Sequence, residues 1–240
     1  MNQRSNEHGQ PIGGSVPGWT PRARPGRETM QGRFCRVEAL SAETHAESLF
    51  RAYQLDPDGV LWTYVPMGPF DALGDFRNWI DAASRDESQP YFAIVDQATG
   101  EARGIACYLR LQPEHGVIEV GGIVFSPLLQ RKPAATEAMF LMMRHVMGEL
   151  GYRRYEWKCD ALNAPSRRAA ERLGFTYDGL FEQAIVYKGR NRDTAWFSII
   201  DKDWPALERA YTAWLDPANF DETGKQRREL GSLIAEFRER

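Results

Sequence analysis

A chain of 240 residues with 42% hydrophobic, 12% aromatic and 26% charged content can bury a sizeable core, which excludes a fibrous or disordered chain. No stretch reaches bilayer length and no apolar segment follows a basic start, so no membrane partner and no export are expected, and the cytoplasm is the expected location. A net charge of −3 gives no overall pull on nucleic acid, and Cys35, Cys107 and Cys159 at wide spacing predict free thiols. His8, His45, His115 and His145 fall at no ligand spacing, so no metal is expected.

Residues 1–32 hold four Pro and six Gly without apolar periodicity and read as an extended arm that packs on a partner. Residues 1–33 carry five Arg against two Glu, which leaves docking on RNA or a ribosome open for the arm alone; nucleic acid is otherwise not an expected partner. Cys35, Val37 and Ala39 alternate with Arg36 and Glu38, predicting a first strand. Ser41 then starts a helix with Leu49, Phe50 and Tyr53 on its apolar side. The turn Asp56-Pro57-Asp58-Gly59 precedes an aromatic loop, and Asp71 is placed to cap a second helix carrying Leu73, Phe76, Trp79 and Ile80.

Tyr91 to Val95, Gly104 to Leu111 and Gly116 to Phe125 predict an antiparallel meander. Pro133 to Leu150 has Pro in its first turn and Gly151 just beyond its end, the asymmetry of a long helix. Met139, Met142, Met143 and Met147 give that helix a core-facing side. A strand over Tyr155 to Asp160 and a helix over Pro165 to Leu173 follow. Next comes a hairpin of Phe175 to Lys188 with Thr194 to Ile200, turning across Gly189 to Asp193. Pro205 opens a further helix, and Leu230, Leu233, Ile234 and Phe237 mark another that docks on this core or on a neighbour. The organisation expected is an arm over 1–32, a domain over 33–203 and a helical extension over 204–240, with the terminal extensions offering a homodimer surface.

A strand ending at Val124-Phe125, the loop Gln130 to Thr136 and a long helix would place unpaired N–H groups at a positive helix end, an arrangement that suits a phosphate. Ala134 and Ala135 let a ligand approach the backbone, and Gln130, Arg131 and Lys132 add donors and charge. The other reading is an ordinary helix start without a ligand.

Gln130-Arg131-Lys132-Pro133-Ala134-Ala135-Thr136-Glu137-Ala138 resembles the acetyl-CoA pyrophosphate loop of the GNAT superfamily of N-acetyltransferases, in the branch that modifies ribosomal-protein N-termini. Asn163, Ser166 and Leu173-Gly174-Phe175 match the same branch, as do Gly68-Pro69-Phe70, Glu119 before Gly121-Gly122, and the hairpin closing at Asp193. The resemblance covers residues 33–203 and its motifs come in the family's order. It implies an α/β fold with a GNAT-like mixed, mostly antiparallel central sheet flanked by helices. It also implies acetyl-CoA as cosubstrate and direct acetyl transfer to an amine, on a protein N-terminus or a small molecule. The cosubstrate would lie in the gap between the strands ending near Phe125 and Asp160. Val124, Phe125, Gln130, Arg131, Lys132, Ala134, Ala135, Thr136, Asn163 and Ser166 would hold it, with Asn163 on the pantetheine arm.

Two departures stand out. Pro133 occupies a position where the family usually has Gly, which removes one N–H from the loop. Ala170 stands where many relatives carry a Tyr proton donor. Glu119 is the candidate base, directly or through water; the alternative is a solvent-facing strand carboxylate. Ser166 is the candidate hydrogen-bond donor to the departing sulfur, against a local backbone bond in a helix's first turn. Trp62 and Tyr64 either line the acceptor pocket or pack in the core. Cys159 reads as a buried structural thiol. Arg167-Arg168 and Lys188 to Arg192 read as solvated faces, with a coenzyme 3′-phosphate or an acidic substrate as the alternative. The competing function is a non-catalytic acyl-CoA-binding or sensing module, motivated by Pro133 and Ala170.

Overall fold

The computed structural model describes residues 4–239, so residues 1–3 of the expected arm and residue 240 lie outside the described residues. The arm contributes a short antiparallel pair, β1 (Arg4–Ser5) with β2 (Pro11–Ile12). The main sheet comprises β3 (Met30–Gln31), β4 (Cys35–Ala39), β5 (Tyr91–Asp96), β6 (Ala102–Gln112), β7 (Val117–Phe125), β8 (Arg154–Asp160), β9 (Thr176–Tyr187) and β10 (Arg190–Ile200). The strands lie in the order β3-β4-β5-β6-β7-β8-β10-β9. Every pairing in it is antiparallel except β7 with β8, so the expected mixed, mostly antiparallel sheet is what forms.

Strand alternation sorts the side chains into two cores. On one face, Ile118, Val120, Trp157 and Cys159 pack with α3 (Pro133–Met143), α4 (Ala164–Arg172), α5 (Trp204–Leu215) and α6 (Leu230–Glu239). On the other, Ala93, Ile105 and Cys107 pack beneath α1 (Ala42–Tyr53) and α2 (Leu73–Arg85), which bury Leu49, Tyr53, Phe76 and Ile80. Ser41 caps α1 by accepting a hydrogen bond from the Thr44 N–H at 3.3 Å. Asp71 does not act as the expected cap, because α2 begins after Ala72 and has no side-chain cap.

The long helix starts at Pro133 as read from sequence, but its α-helical part ends at Met143 and a π-helical turn spans Arg144–Glu149. The β9–β10 hairpin is tighter than expected. Tyr187 pairs with Arg190, leaving Lys188 (φ 47) and Gly189 (φ 69) as a two-residue turn with both φ positive, which matches the twist of the flanking strands. Asn191 and Arg192 are therefore strand residues.

Both terminal extensions engage their own domain. Leu230, Leu233 and Ile234 of α6 enter the same core as Leu207 and Tyr211 of α5. In the arm, the Trp19 indole N–H donates to the Glu114 carbonyl at 2.9 Å, Pro25 is buried, and the Tyr152 hydroxyl donates to the Ala23 carbonyl at 3.1 Å. Arg24 and Arg27 donate to the carbonyls of Glu87 and Asp86, and Arg33 donates to that of Leu215. The arm expected to lie on a partner is thus strapped across its own domain by these hydrogen bonds, with Arg24, Arg27 and Arg33 donating to backbone carbonyls.

Candidate active site

The site begins where the sheet comes apart. β7 pairs with β8 only from Val117–Arg154 to Val120–Trp157. Beyond that point β7 carries a bulge: Cys107 faces Gly121 and Ile105 faces Val124, so β7 has one residue more than β6 across the interval. Gly122 sits there at φ 56, and a Cβ at this position would lie 2.7 Å from the Cys107 sulfur and 2.9 Å from the Tyr91 hydroxyl. Only glycine meets both conditions. The bulge bends β7 away from β8 and leaves a wedge between Gly121–Phe125 and Lys158–Asp160.

At the end of β7 the chain turns through Arg131, at φ 60, into α3. Lys132 is the N-cap and Pro133 the first helical residue. The Ala135 N–H is used internally, donating to the Lys132 carbonyl at 3.1 Å. Among the described residues the N–H groups of Arg131 and Ala134 have no hydrogen-bond partner. Two free donors at a positive helix end fit a pyrophosphate oxygen, despite the N–H that Pro133 lacks. The Thr136 hydroxyl accepts from Arg172 at 2.8 Å, and the carbonyls of Val124 and Phe125 accept from Tyr53 and Gln130, both at 2.9 Å. These three side-chain bonds brace the loop and strand end rather than leaving them open.

A cleft of about 750 Å³ opens from the wedge onto the sheet face opposite α3 and α4. Its lining includes Glu119, Gly121, Gly122, Lys158, Asn163, Ser166, Tyr64 and Trp196, whereas residues 124–125 and 130–136 lie outside it. One wall is the loop between α1 and α2, the other the β9–β10 hairpin. The two are tied by the Lys188 ammonium, which donates to the carbonyls of Trp62, Met67 and Gly68 at 2.8, 3.2 and 2.8 Å. Lys188 is accordingly a structural tie and not the freely solvated residue expected from sequence.

Glu119 is 5% exposed, which removes the reading of a solvent-facing carboxylate. The Lys158 ammonium bridges Glu119 at 2.8 Å and Glu156 at 2.6 Å, and lies 3.8 Å from the Trp196 ring centre. Burial pushes the Glu119 carboxyl above the usual carboxylate range, against the pull of Lys158 and Arg110. Burial also opposes ionisation of Glu156, but hydrogen bonds from Arg154 and Lys158 outweigh it and hold that carboxyl below the ordinary value. The two carboxylates thus differ: Glu156 is a fixed counter-ion, and Glu119 is the one shifted toward neutral pH.

Comparison with known proteins decides what this arrangement belongs to. A family model described as the acetyltransferase (GNAT) domain matches residues 36–176, more than half of the chain. This chain belongs to the GNAT acetyltransferase family. A GCN5-related N-acetyltransferase from Brucella melitensis is similar in structure at 46% identity and a TM-score of 0.89, over 92% of this chain and 100% of that one. YnaD of Bacillus subtilis strain 168, described as an uncharacterized N-acetyltransferase, is 24% identical over 63% of this chain and 87% of its own. The ribosomal L7/L12 acetyltransferase RimL, solved in complex with coenzyme A, shares the fold at 18% identity and a TM-score of 0.59, over 72% of this chain and 99% of that one. Acetyl-CoA is the acyl donor of GNAT enzymes, and this chain is an acetyltransferase.

Within the GNAT frame, Ser166 and Asn163 are partly exposed in the cleft at the start of α4. The Asn163 side chain caps α4, accepting from the Ser166 N–H at 3.1 Å, so its local role is occupied. The Ser166 oxygen accepts from the Trp157 indole N–H at 3.0 Å, so its hydroxyl proton is left as a donor, with the Cys159 sulfur as a neighbouring acceptor. Burial raises the Cys159 thiol, against a bond from Ser166, so this serine already sits beside one sulfur. Ala170 is fully buried on the inner face of α4. Tyr64 lines the cleft and donates to the Leu162 carbonyl at 3.3 Å. Trp62 does not line it; the ring packs edge-on against Tyr53 and Phe70 in the core under α1 and α2. Sequence reading missed Lys158, Trp196, Arg110 and Tyr91 in the cleft. For Lys158 the signal was present: Glu156 and Lys158 alternate with the apolar Tyr155, Trp157 and Cys159 along β8, marking a polar strip inside a central strand.

Proposed function

We propose that this cleft transfers an acetyl group from acetyl-CoA directly to an amine. The reading is supported chiefly by the wedge at Gly121–Gly122, flanked by a buried carboxylate with a raised pKa on one face and, on the other, a hydroxyl whose proton lies between Cys159 and the cleft. The pyrophosphate would meet the Arg131 and Ala134 N–H groups with Lys132 nearby, and the pantetheine arm would run along the wedge past Asn163. The neutral amine attacks the thioester carbonyl carbon, the C–S bond breaks, and the thiolate leaves. Glu119 takes the proton from nitrogen, directly or through water, while Ser166 donates a hydrogen bond to the departing sulfur. Serine is too weak an acid to do more than this.

The acceptor is an amine of a small molecule or a protein N-terminus, and the enzyme works in the cytoplasm. Among the described residues no helix is long and apolar enough to cross a membrane. Pro133 and Ala170 favour one second reading, an acyl-CoA-binding or sensing module without turnover. Release of free thiol from acetyl-CoA by the full chain, across a panel of amines and peptides, separates the two. Turnover that collapses in Glu119→Gln supports the enzyme, and calorimetric binding of acetyl-CoA with no turnover supports the sensor.

A further inference from the structure

The charges of the cleft do not balance. Strand alternation turns Glu119, Lys158 and Trp196 away from the α3 and α4 core, onto the sheet face that α1 and α2 leave uncovered, and this face is where an acceptor has room. Its carboxylates are already engaged: Glu119 with Lys158, and Glu156 with both Lys158 and Arg154. The Trp196 face is likewise taken by Lys158 at 3.8 Å, with Arg110 at 5.5 Å. Among the described residues, the carboxylates of this face and the Trp196 ring are therefore already occupied by cations of the protein itself. Three guanidinium groups are left over in the lining, from Arg24, Arg110 and Arg192.

Arg24 and Arg192 have no carboxylate partner among the described residues, and Arg110 shares Glu119 with the closer Lys158. Arg192 donates to the Thr194 hydroxyl at 3.2 Å, and Arg24 donates to the Glu87 backbone carbonyl at 3.0 Å. Arg110 stands 3.8 Å from Glu119 with 54% of its side chain exposed. Arg110 also has φ 48, where β6 loses register with β7 between Leu109 and Gln112. This is an unusual backbone for arginine, and here it accompanies a side chain at the cleft. The α3 N-terminus lies outside the cleft lining, so a pyrophosphate held there does not account for these guanidiniums.

We infer that the acceptor carries an anionic group, a carboxylate or a phosphate, close to its reactive amine, and that Arg110 and Arg192 receive it, with Arg24 of the arm also in the lining. The inference rests on the N-acetyltransferase reading above. Guanidinium forks match both anions, and binding one would aim the amine across the floor at Glu119. The same excess of positive charge disfavours polyamines and other polycations by repulsion.

Paired acceptors test this with the full chain and acetyl-CoA. Free amino acids and dipeptides are compared with their C-terminal carboxamides, and phosphoethanolamine with ethanolamine, by thiol release. The expected result is a kcat/KM higher by about tenfold or more for the anionic member of at least one class of pair. That ratio should collapse toward one in Arg110→Gln and Arg192→Gln. Calorimetry with acetyl-CoA checks that each variant is folded; if a variant does not fold, the wild-type ratios alone decide. Neutral members turned over as well as anionic ones would overturn the inference and leave the enzyme reading standing. A ratio that persists in both folded variants would overturn the assignment to these arginines. Acetyl-CoA binding without turnover of any amine would remove the enzyme reading and this inference with it.

Discussion

Ser166 and Glu119 divide the proposed work at the residue scale, and each gives a different experimental signature. Because the Trp157 indole supplies a bond to the Ser166 oxygen, Ser166→Ala removes the donor to sulfur and leaves an indole N–H without its partner. A fall in kcat of about 10- to 100-fold is expected, from a hydrogen bond to a developing charge; a kcat within twofold of wild type would remove the role. Glu119 acts as a base only when ionised, and its pKa is raised, so kcat/KM should climb with pH through that raised value. Lys158 is among the charges that pull this pKa down. Lys158→Met takes away that pull, and the acid limb of the pH profile should move to higher pH. An unmoved limb would show that Glu119 is not the titrating base.

Pro133 and the β9–β10 hairpin carry the argument at the scale of elements. Pro133 is tolerated because the first helical turn has no intrahelical use for its N–H. A glycine would restore a donor beside those of Arg131 and Ala134, so Pro133→Gly should bind acetyl-CoA more tightly by about tenfold in calorimetry. Equal affinity would mean that the phosphates do not meet this turn. Lys188 sits at the hairpin tip and ties it to the α1–α2 loop. Lys188→Met should loosen that wall and raise KM for the acceptor more than it lowers kcat.

Most elements were legible because each rests on local signals: alternation in β4, turn residues between β5, β6 and β7, Pro133 opening α3 with Gly151 past the π-helical turn, and the Ser41 cap of α1. The misread ones depended on the surroundings. Asp71 is unused because α2 starts one residue later than its capping geometry needs, and the hairpin turn moved because Asn191 and Arg192 found strand partners on β9.

Over the whole molecule, α5 and α6 share one core with the sheet, and Leu233 is 1% exposed within it. Leu233→Ala should cost about 2–5 kcal/mol in denaturant unfolding, as for other buried leucines cut to alanine. A loss well under 1 kcal/mol would mean that α6 contributes little to the fold. The sequence by itself determined the order of the elements and, through motifs that resemble the family's, its sheet; it offered the loop at Pro133 and Glu119, Asn163, Ser166 and Tyr64 as candidates. The elements are read from propensity and periodicity within a few residues, and the site candidates from short motifs whose order resembles the family's. Tertiary structure alone decided that Trp62 is core, that the arm straps its own domain, that Lys158 clamps Glu119, and that three arginines from separate segments converge on one cleft. Side chains distant in the chain meet only when the bulge at Gly122, the wedge beyond Val120 and the twist of the hairpin bring their strands together, and no local pattern encodes that meeting.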